Sequence, residues 1–349
     1  MNCTLAIALL LTGMAGGGDL PPPSGEQIVA PEARLELLFT RTAAIHGGLT
    51  EGPAAAPDGS IYFSDIPEGA DRGMILRWDP RSRTTTVFTD DSHKSNGLAL
   101  DPQGNLVACE GADEGGRAVV RWDIQTKQRT VLADRYQGKR FNAPNDLCID
   151  HLGRIYFTDP KYLGSEPREL EHRAVYRIDT SGEVVEVTHE VSKPNGIALG
   201  LDERVLYVAE HDNGADRIGA GDSPPKQGAM RIEAFALRPD GLVSKHLPPV
   251  VDFGSRKGCD GMTVGRQGHL LLTVRDPGRP GVLVVDTQGH ELGFIPTGPA
   301  NQTDKNPIGL PSNVEFGRGQ EARTLYITVD RSLYRIPLRI EGRHLAPRS

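Results

Sequence analysis

Aromatic residues are scarce in this chain: they make up 5% of its 349 residues, against 41 glycines and 26 prolines. Few rings and many turn formers argue against a helical bundle and for an all-β, turn-rich chain. Cysteine is scarcer still. Of the 4 present, Cys3 lies in the N-terminal leader described below, which leaves Cys109, Cys148 and Cys259. An odd number without close spacing excludes a disulfide framework or a thiolate zinc site. Cys109 and Cys148 fall in apolar strand patterns and are expected as buried thiols. Cys259 precedes Asp260, but no neighbouring His supports a thiolate there, so packing is expected of it too. The 10 histidines are scattered and form no paired ligand motif. There is no glycine-rich phosphate loop opening a helix and no Gly-x-Ser-x-Gly nucleophile elbow. Basic residues are outnumbered, giving a formal net charge of −7, which disfavours nucleic acid or another polyanion as partner.

Long apolar runs are also missing. The run Leu5 to Leu11 is too short to span a bilayer. Small residues follow it, from Gly13 to Gly17, and the two together have the shape of an export signal, although no Lys or Arg precedes the run. Residues 1–26 are therefore expected to be a signal peptide with a Pro- and Gly-rich linker, and the protein to be exported to the periplasm or the extracellular space. Residues 27–349 are expected to form one folded unit.

What the chain has is a repeat. Its clearest copy runs from Arg140 to Asp159: a Pro144-Asn145-Asp146 turn, a short apolar run, a tight turn around Asp150 to Gly153, and the β-prone run Ile155 to Thr158. That is a strand, a hairpin turn and a second strand. Six copies open with Glu51, Asn96, Asn145, Asn195, Asp260 and Asn313, spaced by 45, 49, 50, 65 and 53 residues. A period of about 40–50 residues with several strands per unit marks a β-propeller. Later in each unit an apolar-x-apolar-Asp pattern ends at Asp79, Asp123, Asp179 or Asp286 and adds a third strand and the start of a fourth. The expected fold is all-β: a six-bladed β-propeller with four-stranded blades. The early segment Leu35 to Phe39 should complete the last blade beside Leu333 to Ile336, because an open sheet edge is a liability. The long fourth interval, around Glu210 to Arg217, is expected to be a loop insertion.

Equivalent positions in a propeller are related by rotation about one axis. Residues that open the innermost strand of every blade should therefore converge. Here they are two acids and four amides, all oxygen donors, with no thiol or imidazole. Such a set favours a hard divalent cation, and roughly six to eight oxygens suit Ca²⁺. For any single Asn before Gly, a turn role is the simpler reading. It does not cover four amides and two acids at one repeat position.

At these residues the chain resembles the SMP-30/gluconolactonase/luciferin-regenerating, or regucalcin-like, family. The resemblance is carried by EGPAAAPDGSIYFSD, SNGLALDPQGNLVACEG, FNAPNDLCIDHLGRIYFTDP, KPNGIALGLDERVLYVAE, DGMTVGRQGHLLLT and SNVEFGRGQEARTLYITVDRSLYRI. It implies a metal-dependent hydrolase that opens a sugar lactone, with one divalent cation held by Glu51, Asn145, Asn195 and Asp260, and Asp260 as general base. It places Asn96 and Asn313 in the same cavity, and Asp159 and Glu110 at strand ends that line a pocket. His93, three residues before Asn96, is a further pocket candidate. The family's substrate-contacting arginine has no counterpart here; Arg140 is displaced from it. Two other readings fit the same residues: an arylesterase or phosphotriesterase on this scaffold, or a non-catalytic propeller pinned by calcium.

Overall fold

Each repeat folds into four antiparallel strands. This computed structural model describes residues 20–41, 48–67, 69–214, 227–298 and 309–345. Residues 1–19 of the expected signal and linker, and residues 215–217 of the expected insertion, lie outside the described residues; Glu210 and His211, expected in that loop, instead end the strand Val205–His211, paired with Arg231 and Met230. Blade one comprises Leu49–Ala55, Ile61–Ile66, Met74–Asp79 and Thr84–Thr89; blade two Ser95–Leu100, Leu106–Glu110, Ala118–Trp122 and Arg129–Ala133. Blade three comprises Leu147–Ile149, Ile155–Asp159, Ala174–Ile178 and Val184–Thr188; blade four Pro194–Leu199, Val205–His211, Met230–Leu237 and Val243–Asp252. Blade five comprises Cys259–Val264, Leu270–Val274, Gly281–Val285 and Glu291–Pro296. Blade six has Pro311–Phe316, Thr324–Val329 and Ser332–Pro337, and its outermost strand is Glu36–Thr40 from the other end of the chain. The six-bladed propeller expected from the repeat is thus observed.

Local chemistry explains the regular turns. Between first and second strands of blades two and three, an aspartate accepts backbone N–H groups two and four residues on. Asp150 Oδ1 takes them from Leu152 at 3.0 Å and Arg154 at 2.8 Å, and Gly153 sits at φ +84°. Such an Asx turn needs a left-handed residue, which glycine supplies without strain. Asp79, Asp123 and Asp286 of the apolar-x-apolar-Asp pattern likewise accept the N–H two residues on between third and fourth strands, Asp123 from Gln125 at 2.8 Å. The second strands of blades two, three and five are buried along their whole length because both sheet faces meet a neighbouring blade.

The ring closes as expected. Glu36 pairs with Arg335 and Phe39 with Leu333, and the Phe39 ring meets Phe63 of blade one edge-on at 5.5 Å. Inner strands of consecutive blades touch all the way round, including blade six with blade one. Two further attachments were not foreseen. Residues ahead of the clasp strand join blade five, where Ser24 exchanges backbone hydrogen bonds with Phe294 at 2.9 and 3.1 Å. At the other terminus, Arg266 N–H donates to Glu341 O at 2.8 Å and Arg343 N–H to Val264 O at 3.1 Å. Arg343 then reaches Glu203 of blade four at 2.6 Å. This C-terminal strap crosses the far end of the axis. There an axial cavity of about 120 Å³ is lined by inner-strand residues two to four positions past the lead residues, and by Arg343, His344 and Leu345.

Candidate metal centre

Five of the six lead residues lie in the first strand of their blade, and in those blades the strand pairing slips at that point. The register jumps between Glu51 and Ala54, Ser95 and Leu98, Pro194 and Ile197, Cys259 and Met262, and Pro311 and Asn313. A bulge bends the strand and re-aims its side chains. In blade three, Asn145 instead precedes the strand, and its N–H is held by Thr158 O at 2.9 Å. The glycines that follow lead residues pack on the next blade. A β-carbon on Gly97 would run into Asp146, and one on Gly261 into the Asn313 side chain. Across the axis, Asn313 Nδ2 of blade six donates to Asp146 Oδ2 of blade three at 3.2 Å. Opposite blades therefore meet at this level, and the lead residues surround one narrow centre.

Glu51 and Asp260 come within electrostatic reach of each other there. Burial, and then the Asp260 charge, push the Glu51 carboxyl well above its usual range, with Arg275 opposing. Burial pushes Asp146 up to about 7, against the Leu147 N–H and the Asn313 amide that hold its charged form. Two buried carboxylates this close need a positive charge. Arg275 supplies part of it, with Nη1 3.4 Å from Asp260 Oδ2.

The donor set fits a hard cation. Among the described residues, the Glu51 carboxylate takes one hydrogen bond, from the Gly52 N–H at 3.2 Å. Asn145 and Asn195 are 8% and 5% exposed, and among the described residues no protein N–H donates to their side-chain oxygens. Buried polar oxygens are normally satisfied, so these are available for a ligand. Tyr162 donates to His211 O at 3.1 Å and interacts through the same hydroxyl with the Asn195 side chain. No group of three His, Cys, Asp or Glu side chains gathers as a metal site among the described residues; what converges is acid and amide oxygen.

The other expected residues are placed as follows. Asn313 lies at the centre, but its Oδ1 accepts Val314 N–H at 2.8 Å and its amide is spent on Asp146. Asn96 opens blade two beside them, and its carbonyl accepts the Ser64 hydroxyl at 2.8 Å. Asp159 accepts the N–H groups of Asn142 at 2.8 Å and Ala143 at 2.7 Å, so it holds the loop that delivers Asn145. Glu110 is fully buried in a two-bond pair with Arg129, both at 2.6 Å. His93 stands on the rim with Nδ1 2.8 Å from Arg72, and burial and then Arg129 lower its pKa.

Sequence reasoning missed Asp146, Arg275 and Tyr162 as site residues, and gave His211 only a place in the loop insertion. Asp146 was within view, directly after Asn145. His211 is buried, and its Nδ1 faces Cys259 O at 2.8 Å; a carbonyl only accepts, so Nδ1 carries the proton. The three described cysteines are unpaired thiols; Cys109 and Cys259 are buried, and Cys148 is partly exposed to the axial cavity.

The profile of the SMP-30/Gluconolactonase/LRE-like region matches residues 49–331, the whole ring of lead residues. The chain belongs to this family. The gluconolactonase of Zymomonas mobilis is 29% identical over 317 residues, covering 84% of this chain and 79% of the relative. A solved gluconolactonase from Xanthomonas campestris superposes with a TM-score of 0.71 at 31% identity, covering 92% of this chain and 95% of that one. A calcium-binding regucalcin from Agrobacterium tumefaciens shares the fold, with a TM-score of 0.64 at 17% identity and coverage of 87% and 98%. In this SMP-30/gluconolactonase family member, the carboxylates and amides named above share one end of the propeller axis.

Proposed function

We propose that this chain is a lactonase that hydrolyses a sugar lactone with a bound divalent cation. The observation that carries this is the axial group itself: two buried acids and two amides with open oxygens, in a chain whose relatives include gluconolactonases. Glu51, Asn145, Asn195 and Asp260 would hold the cation, and oxygen donors of this kind suit Ca²⁺. Such an ion supplies Lewis acidity toward a carbonyl oxygen and acidifies water. Asp260 would act as general base. Its carboxylate takes a proton as water adds to the lactone carbonyl, and returns it to the ring oxygen as the C–O bond breaks. Asp159 and Tyr162 place the two amides, and Asn313 and Asp146 bridge the opposite blades at the same level.

A metal analysis joined to a panel of aldonolactones tests the reading. Glu51→Gln and Asp260→Asn should each lower lactone hydrolysis by at least about 100-fold, and Glu51→Gln should lose the metal. Folded variants that lose metal yet hydrolyse lactones at the native rate would overturn the catalytic role. Aryl esters or phosphotriesters preferred over every sugar lactone would overturn the substrate class.

A further inference from the structure

This inference rests on the lactonase reading and concerns the charge that ring opening creates. The water oxygen bonds to the carbonyl carbon, the ring C–O bond breaks, and the ring oxygen leaves as an alcohol carrying one of the water protons. The new acid gives its remaining proton to solvent at neutral pH. A neutral lactone thus becomes an anion beside Glu51, Asp260 and Asp146. Like charges in a poorly solvated site repel strongly, so a cationic donor is needed where the product forms.

Arg275 stands there. It leaves the second strand of blade five, and its backbone N–H is fixed by Gly258 O at 3.0 Å. Its Nη1 is anchored twice, donating to Pro311 O at 3.3 Å and lying 3.4 Å from Asp260 Oδ2. Its charge acts on Glu51 of blade one, His211 of blade four and Asp330 of blade six, which places it among the side chains at the axis. The side chain is 22% exposed. Among the described residues, Nε and Nη2 donate to no protein acceptor, and neither is sealed away from solvent. Those two nitrogens form the parallel edge of a guanidinium that matches a carboxylate. The nearby Lys193 is already committed, with Nζ donating to Asn213 Oδ1 at 2.8 Å and lying 4.3 Å from the centre of the Tyr162 ring.

We propose that the open Nε–Nη2 edge of Arg275 binds the carboxylate that forms on ring opening, which makes Arg275 a catalytic residue of the lactonase. One nitrogen orients Asp260 and the other two meet the product, so a single side chain aligns base and substrate. The cation-loaded full chain, its Arg275→Lys variant and its Arg275→Met variant test this on an aldonolactone and on the corresponding aldonate. Arg275→Met should lower kcat by about 100-fold with KM within about threefold, and Arg275→Lys by about tenfold, since lysine keeps the charge and loses the fork. The aldonate inhibition constant should rise at least about tenfold in Arg275→Met. Free guanidinium should restore part of its rate.

Native kcat and unchanged aldonate inhibition in folded Arg275→Met would overturn the proposal. So would a lost rate with intact aldonate binding and no guanidinium rescue, because Arg275 would then act only by holding Asp260. If the native chain hydrolyses no lactone, the functional reading fails instead. Calorimetry of aldonate with native and Arg275→Met protein then decides on Arg275 by itself: binding that needs the guanidinium supports the contact, and equal or absent binding overturns it.

Discussion

Asn313 shows how a repeat position divides into different roles. Its place in the chain is equivalent to that of Asn145 and Asn195, yet its oxygen and its amide are both used inside the protein. Asn313→Ala should cost about 1–2 kcal/mol of stability, because it leaves the buried Asp146 one donor short. It should leave cation affinity within about threefold of native. A drop in affinity as large as that of Glu51→Gln, measured by calorimetry, would make Asn313 a ligand after all. Spacing alone puts all six lead residues on an equal footing. Which of them keep an open oxygen depends on neighbours from other blades, such as Asp146 for Asn313 and Tyr162 for Asn195, and these lie far apart in the chain.

At the scale of the element, the second strand does more than fill space. At one equivalent position it carries Ser64, Cys109, Thr158, Ala209, Thr273 or Thr328 in blades one to six, and several of these tie one blade to the start of the next. Ser64 donates to Asn96 O at 2.8 Å, Cys109 Sγ lies 3.7 Å from Asp146 O, and Thr273 donates to Gly261 O and Ser312 O, both at 2.8 Å. The buried Cys109 is therefore the thiol version of a linking hydroxyl. Thr273→Val keeps the volume and removes both bonds, and should cost about 1–3 kcal/mol in a denaturant titration. An unchanged midpoint would show that the link is idle. The position after it is acidic in four blades: Asp65 pairs with Arg41, Glu110 with Arg129, Asp159 takes two loop N–H groups, and Glu210 takes the Ser192 N–H at 2.8 Å. This shared duty accounts for Glu110 and Asp159 better than a pocket role of their own.

The C-terminal strap carries a pH signal. His344 donates from Nε2 to Gly317 O at 2.9 Å. Burial, and then Arg318, lower its pKa from 6.5 to about 4. Between those values the unfolded chain binds a proton that the folded one does not. The stability tied to neutral His344 is therefore complete above pH 6.5 and lost as pH falls toward 4. Glu315, at the same end of the axis, has its carboxyl raised by burial from 4.5 to about 7. It works in the opposite direction, gaining stability as pH falls through that range. The comparison must therefore be between native protein and His344→Gln, which keeps a donor but does not titrate. Native melting temperature should fall more steeply than that of His344→Gln from pH 6.5 to 4. Parallel curves would remove His344 from the account.

For the whole molecule, stability depends on keeping the circle shut. Glu36–Thr40 covers the open edge of blade six and pairs charge with charge, Arg335 Nε lying 2.8 Å from Glu36 Oε2. Next to it, Ser312 donates to Thr50 O at 2.6 Å across the blade six to blade one junction. A chain lacking residues 1–41 should lose the cooperative melt and associate through the bared Ser332–Pro337 edge. A monomeric product with a native melting temperature would show that the clasp is dispensable. The proposed cation site depends on the same closure, because Glu51 belongs to the first blade and Asp260 to the fifth.

The sequence alone determined the blade count, the turn chemistry, the clasp and the identity of the residues that face the axis, because each is a local periodic signal written once per repeat. Tertiary structure alone decided which of those residues keep an oxygen free, that Asp146 bridges to Asn313, and that Arg275 stands beside Asp260. The Asp146–Asn313 contact joins opposite blades that only ring closure brings together, and the Arg275–Asp260 contact depends on how one hairpin directs two side chains, which no repeat pattern records. A repeat says that its copies converge; only the packed ring says which atoms are already taken.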